Sequence, residues 1–274
     1  MNKDLAKIEF YFPAQEKRFE DKQALARQIV ADMQANDSIK YSGHTDEEKL
    51  YRGLIDYLGK ASVSRYAPIK PVQKNQIESH IRKILVKCNA HFPIPTKNFI
   101  FVFPYLPAAA DKIFEGVMGV ARYSCVFHLF ISLSEFTKKS LANTVAHELN
   151  HTIYYFHHYD DFGNYSLLDN FILEGLAENF REHVVGGGIA PWSQALNKKK
   201  AFKTLDQLEP LLYSRDEDLQ REIFFGNNLY KKWTGYSIGY WLIRHYLDAH
   251  PRSTWQTLML ESSDKIFEAY KKGV

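Results

Sequence analysis

The sequence predicts an α+β fold, mainly helical, with one small β-sheet next to a central helix. Three observations carry that reading. Apolar residues recur at spacings of three and four over most of the 274 residues. Two stretches, Asn98-Phe99-Ile100-Phe101-Val102-Phe103 and the run from Val120 to Ser134, have the β-branched and aromatic density of buried strands. Directly after the second, Leu141, Val145, Leu149 and Ile153 repeat at spacing four. A helix with that stripe buries one face and keeps another for His147, Glu148 and His151.

Taken in order, residues 1–94 read mostly as helix. Asp21 to Met33 carries Leu25, Ile29 and Val30 on one face, and Thr45 with Glu48 opens a run through Leu50, Leu54 and Leu58. A third helix starts at Pro71, uses Ile77, Ile81, Ile84 and Leu85, and ends near Asn89. His44, His80 and His91 are isolated and read as structural. This region is expected to be a helical scaffold or one wall of a groove. Pro93 and Pro95 mark a boundary, so a second domain is expected over residues 95–274. Pro107-Ala108-Ala109-Ala110 reads as a loop. In the second β-rich run His128 reads as structural. A strand just before the central helix offers an open edge for an extended peptide, or is a plain interior strand.

Thr137 or Ser140 can cap the central helix. Positions four apart lie one turn above each other, so His147 and His151 can both face one metal, at about 2.0–2.1 Å if it is zinc. Glu148 sits about 100° round, within reach of a metal-held water without being a ligand. With 11 His and 17 Glu in the chain, roughly 0.03 His-Glu-x-x-His matches are expected by chance. The pattern is therefore a specific signal rather than a helix with two solvated histidines.

Two histidines leave a hydrolytic zinc site short of one protein ligand. Glu174, 23 residues beyond His151, is the candidate. Its helix is expected to start at Ser166 with Asp169 as capping-box partner, to run through Leu168, Phe171, Ile172, Leu176 and Phe180, and to stop at Gly186-Gly187-Gly188. Glu178 shares the face of Glu174. A carboxylate in so apolar a helix needs a metal or a partner, and Glu178 suits the acceptor of a ligand imidazole N–H. Gly175, beside the ligand, is expected to let this helix and the His147–His151 helix approach closely. The rival ligand His157 lies ten residues after His147, the spacing of metzincin sites. Tyr154 stands where those sites have a helix-breaking Gly, so His157 is expected about 9 Å further along the axis than His151. His158 is a weaker rival still.

Further on, Gly186 to Thr204 reads as a flexible loop in which Lys198-Lys199-Lys200 and Lys203 are solvated. Leu205 to Leu212 and Asp216 to Phe225 read as short helices. Trp233 leads into a helix bearing Tyr236, Tyr240, Trp241, Ile243 and Tyr246 that closes before Pro251. Thr254 to Val274 reads as a terminal helix with Ile266, Phe267 and Tyr270 inward.

The Glu174-Gly175-Leu176-Ala177 segment after a His-Glu-x-x-His helix resembles the gluzincin metallopeptidases, in particular relatives of aminopeptidase N. It is more similar to a bacterial family of predicted zinc-dependent proteases. That family pairs the two motifs with a later Gly-Tyr-x-x-Gly-Tyr, present here as Gly235-Tyr236-Ser237-Ile238-Gly239-Tyr240. The resemblance spans roughly residues 95–250. It implies a zincin-like fold, Zn2+ held by His147, His151 and Glu174, Glu148 as general base, and a peptide or protein substrate. It also implies a downstream Tyr as oxyanion donor, Tyr236 first and Tyr240 second, with His245 as the alternative that thermolysin-like enzymes suggest. Two departures stand out. Leu173 replaces the Asn of the aminopeptidase motif, and Gly116-Val117-Met118-Gly119 lacks the Glu of its amine-binding segment, so aminopeptidase specificity is not implied.

Other classes stay open or are excluded by composition. A non-catalytic, metal-containing peptide-binding or regulatory module would use the same groove, and a small amide or ester would keep hydrolysis but change the substrate. A net charge of +3 is too small to point to nucleic acid. Cys88 and Cys125 have no metal spacing and suggest no disulfide framework. Met1-Asn2-Lys3-Asp4 lacks the apolar core of a signal peptide, and no run reaches the ~18 residues of a membrane span. A cytoplasmic location is expected.

Overall fold

The computed structural model describes residues 5–10, 27, 31, 69–104, 114–158 and 164–273, without the side chains of 122 and 123. Of the helix expected over Asp21–Met33 only Arg27 and Ala31 are described, both helical; the helix expected over Thr45–Leu58, His44 and the Pro107–Ala110 loop lie outside the described residues. The fold is α+β and mainly helical, with one small sheet. The chain divides into two compact units, residues 1–160 and 161–274.

The first unit is built on a four-stranded sheet: β1 (Ala6–Phe10), β2 (Asn98–Phe103), β3 (Val117–Tyr123) and β4 (Val126–Ile131) in the order β1-β2-β4-β3. β1 pairs with β2 and β2 with β4 in parallel, while β3 runs antiparallel to β4 along the edge. All six residues of β4 are buried. This is why its sequence is a continuous apolar run rather than an alternation. His128 lies buried between the rings of Phe101 and Phe103, in keeping with a structural role.

The single β-rich run expected over Val120–Ser134 is in fact a hairpin. The chain reverses at Ser124-Cys125, and Cys125 takes the left-handed φ of 67°. No glycine or asparagine advertises that turn. β1, in a region that otherwise reads as helix, is a further strand with only five residues to signal it.

Two helices complete the described part of this unit. α1 (Pro71–His91) has Pro at its start and buries Ile77, Ile81, Leu85 and Cys88. It packs on α2 (Lys138–His157), which also lies across β3 and β4. Thr137 is the N-cap of α2, its hydroxyl accepting from the Ser140 N–H while the Ser140 hydroxyl accepts from the Thr137 N–H. Leu141, Val145, Leu149 and Ile153 are all essentially inaccessible, as the stripe requires. The Thr152 hydroxyl donates to Asn98 Oδ1 at 3.0 Å and ties α2 to the start of β2.

The second unit is helical. α3 (Leu167–Val185) begins at the Ser166/Asp169 capping box and ends at Gly186, φ 75°. α4 (Lys198–Leu208) starts at the Asn197 cap, inside the stretch expected to be loop. Its Ala201, Leu205 and Leu208 form a narrow buried stripe, while the lysines occupy the other faces. α5 (Glu217–Phe225) and α6 (Thr234–Ala249) follow, then α7 (Trp255–Met259) and α8 (Ser263–Lys271) in place of one terminal helix. Ile266 and Phe267 of α8 are buried.

The main contact of this unit is α3 on α6. Gly175 and Gly239 meet there: a methyl on Gly175 would overlap the Gly239 carbonyl, and one on Gly239 would overlap the Phe171 carbonyl. The helix that approaches Gly175 is α6, in place of the expected His147–His151 helix, and the Gly-Tyr-x-x-Gly-Tyr segment supplies the facing glycine. No described helix is long and apolar enough to cross a membrane.

Candidate metal centre

His147, Glu148 and His151 lie on α2 in the first unit. His147 and His151 project from successive turns with rings edge to face, centroids 4.5 Å apart. Their Nε2 atoms are 2.9 Å from each other. The same nitrogen of each ring thus converges on one place. Imidazole nitrogens that meet in this way either share a proton or hold one cation between them. Zn–N bonds of about 2.0–2.1 Å are compatible with that gap, and paired imidazoles are a donor set zinc favours.

Glu148 is 6% exposed. Its carboxyl end lies over Gly119 of β3, where a methyl would overlap Cγ, Cδ and Oε1. α2 stays helical through Tyr154 to His157. That leaves His157 more than two turns from His147, about 15 Å along the axis. His157 packs edge-on against Phe92 and His158 stacks on Tyr154. Neither joins the imidazole pair.

A model of the family described as "Predicted Zn-dependent protease (DUF2268)" matches residues 76–268. The chain belongs to this family. The matched span holds all three motifs, from His147 through Glu174 to Tyr240. Two proteins of Bacillus subtilis (strain 168) are similar. "Uncharacterized protein YjaZ" is 30% identical over 150 residues, 52% of this chain and 54% of the relative. "Uncharacterized protein YjfC" is 21% identical over 151 residues, 50% of this chain and 49% of the relative. The chain spans about half the length of these curated relatives. No solved structure matches.

The other residues expected to carry chemistry in this family member lie in the second unit. Glu174, partly buried on α3, lines a cavity of about 370 Å³ with Asn170, Gln220, Phe224 and Tyr236 among its walls. Tyr236 stands edge-on to Phe224, ring centroids 5.2 Å apart. The structure thus brings Glu174 and Tyr236 to one cavity. Tyr240 is engaged elsewhere, donating to Glu182 Oε2 at 2.7 Å and accepting from Arg244 at 3.0 Å. Burial, and then the bond to Glu182, pushes its phenol up to about 12.

His245 lies nine residues beyond Tyr236, half a turn round α6. It sits against Phe202 and Tyr270. Burial first, then Lys198, holds its pKa below the usual histidine range. Of the three oxyanion candidates, Tyr236 alone lines the cavity with Glu174.

Glu178 is fully buried. It accepts from Arg181 Nε at 2.9 Å, Trp192 Nε1 at 2.8 Å and Ser193 Oγ at 3.0 Å. The second and third donors come from the segment after α3, so the carboxylate also fastens that segment. Sequence reading missed Arg181, Trp192 and Ser193, and it missed Gly119. For Gly119 a signal existed: a lone glycine inside a strand marks a close approach.

Proposed function

We propose that the chain is a zinc-dependent peptidase, with His147, His151 and Glu174 as metal ligands and Glu148 as general base. The convergence of the two Nε2 atoms, with Glu148 on the adjoining turn, is the observation that carries this reading. Membership of a family described as predicted Zn-dependent proteases supports it. The chemistry belongs to residues 95–274, with residues 1–94 as scaffold, β1 extending the sheet and α1 backing α2.

When bound, zinc lowers the pKa of a water and polarises the scissile carbonyl. Glu148 removes a proton from the attacking water and returns it to the leaving amine. Tyr236 donates its O–H to the carbonyl oxygen as charge grows there. Glu178 accepts from a ligand imidazole N–H and so fixes its tautomer. The outer edge of β3 pairs with an extended peptide beside Glu148.

The test is hydrolysis of a fluorescence-quenched peptide library by zinc-loaded protein, with and without chelator. Wild type cleaves and chelator stops it. Glu148→Gln keeps its zinc but loses at least ~10²-fold in rate. Undiminished cleavage by that variant refutes the mechanism. A zinc-loaded wild type that cleaves nothing leaves the peptide-binding module as the better account.

A further inference from the structure

β3 has one glycine, Gly119, and nothing about its backbone asks for one. Its φ is not in the left-handed region, as the positive-φ residues of the chain do not include it. Any residue adopts such a conformation. Glycine in a strand weakens it, because the chain loses more freedom and contributes no side chain to pack. The residues that share its face of the strand, Val117 and Ala121, both carry side chains and both are buried. Only at 119 is the place of the side chain filled from outside, by Cγ, Cδ and Oε1 of Glu148.

What a methyl would meet separates this glycine from the two at the helix crossing. At Gly175 and Gly239 it would meet backbone carbonyls of a neighbouring helix, so those positions belong to the fold. At Gly119 the three nearest atoms all belong to one flexible side chain, that of Glu148 from Cγ outward. Strand and helix need not move. The carboxyl swings away.

We propose that Gly119 is a positioning residue for Glu148, its missing side chain seating the carboxyl against β3. This inference rests on the peptidase reading, in which Glu148 is the base. A carboxyl displaced by about 1 Å keeps its charge and its place in the sequence but loses its line to the attacking water. A misplacement of that size costs up to ~10²-fold in rate.

The experiment compares zinc-loaded wild type with Gly119→Ala, Glu148→Ala and the double variant. Four properties are read: zinc per chain, melting temperature, kcat and KM on the library peptide that wild type cleaves fastest, and the crystal structure of Gly119→Ala. The expected variant Gly119→Ala holds wild-type zinc, melts within a few degrees of wild type and keeps KM within about threefold, while kcat falls ~10–100-fold. Its crystal structure shows the Glu148 carboxyl moved by about 1 Å or more. Glu148→Ala removes Cγ and everything beyond it, the atoms the new methyl would meet, so in that background Gly119→Ala should cost no further rate.

Unchanged kcat with the carboxyl in place overturns the proposal. So does loss of zinc or a collapse in melting temperature, either of which would make Gly119 a residue of the fold. If wild type cleaves no peptide, the peptidase reading fails by itself. The crystal structure then still decides whether the methyl moves Glu148.

Discussion

Alanine at Gly175 tests how closely the Glu-Gly-Leu-Ala and Gly-Tyr-x-x-Gly-Tyr segments are packed. In an ordinary helix interior, Gly→Ala stabilises by about 1 kcal/mol through propensity. Here the new methyl would overlap the Gly239 carbonyl and crowd Ile243. The obstacle is backbone in the middle of α6, so the helices must part. A gap of 0.5–1 Å forfeits a quarter to a half of each contact worth about 0.1–0.2 kcal/mol. Over some tens of atom pairs along this interface the loss is on the order of 3 kcal/mol. Propensity returns about 1 kcal/mol, leaving a net destabilisation of about 2 kcal/mol, within the usual range for overpacking. For a chain of this size that lowers the melting temperature by roughly 4–8 °C. The assay is thermal unfolding followed by circular dichroism, with Gly239→Ala and the double variant alongside. The double variant should fall short of the sum, because one separation relieves both overlaps. A melting temperature equal to or above that of wild type would refute the packing argument.

Tyr236→Phe should lower kcat by ~10²–10³-fold with zinc content unchanged, the usual cost of one oxyanion donor; equal kcat would remove Tyr236 from the mechanism. Arg181→Met removes the cation that pairs with Glu178, whose side chain has no exposed surface. It should destabilise by about 3–5 kcal/mol in urea unfolding, and Glu178→Met added to it should recover most of that. Tyr240 has a folded pKa of about 12 against an ordinary value of 10.0. Its contribution to stability is complete below pH 10 and is lost as pH rises through 12. Stability measured across that window should therefore fall more steeply for wild type than for Tyr240→Phe, and parallel curves would contradict the assignment.

The elements around the imidazole pair were legible because several local signals agree there. Leu141, Val145, Leu149 and Ile153 mark the buried stripe of α2, and Thr137 with Ser140 marks its start. α3 announces both ends, by Ser166 with Asp169 and by Gly186. The β3–β4 turn was hidden because Cys125 adopts a left-handed φ without a turn-forming sequence. α4 was hidden behind a lysine run that reads as loop when its three buried residues are overlooked. The partners of Glu178 were out of reach for another reason. Trp192 and Ser193 lie 14 and 15 residues away in an irregular segment, and no periodicity links them to α3. Gly119 shows the same limit from the other side: the glycine is plain in the sequence, but which side chain fills its space is a matter of packing between β3 and α2.

The central claim is that His147, His151 and Glu174 form one zinc site. Elemental analysis of the purified protein, expressed without added metal and compared with Glu174→Ala, tests it most directly. The account predicts about one zinc per wild-type chain and a sharp loss in the variant. Wild type without zinc even after incubation with the metal, or Glu174→Ala with a full complement, would contradict it.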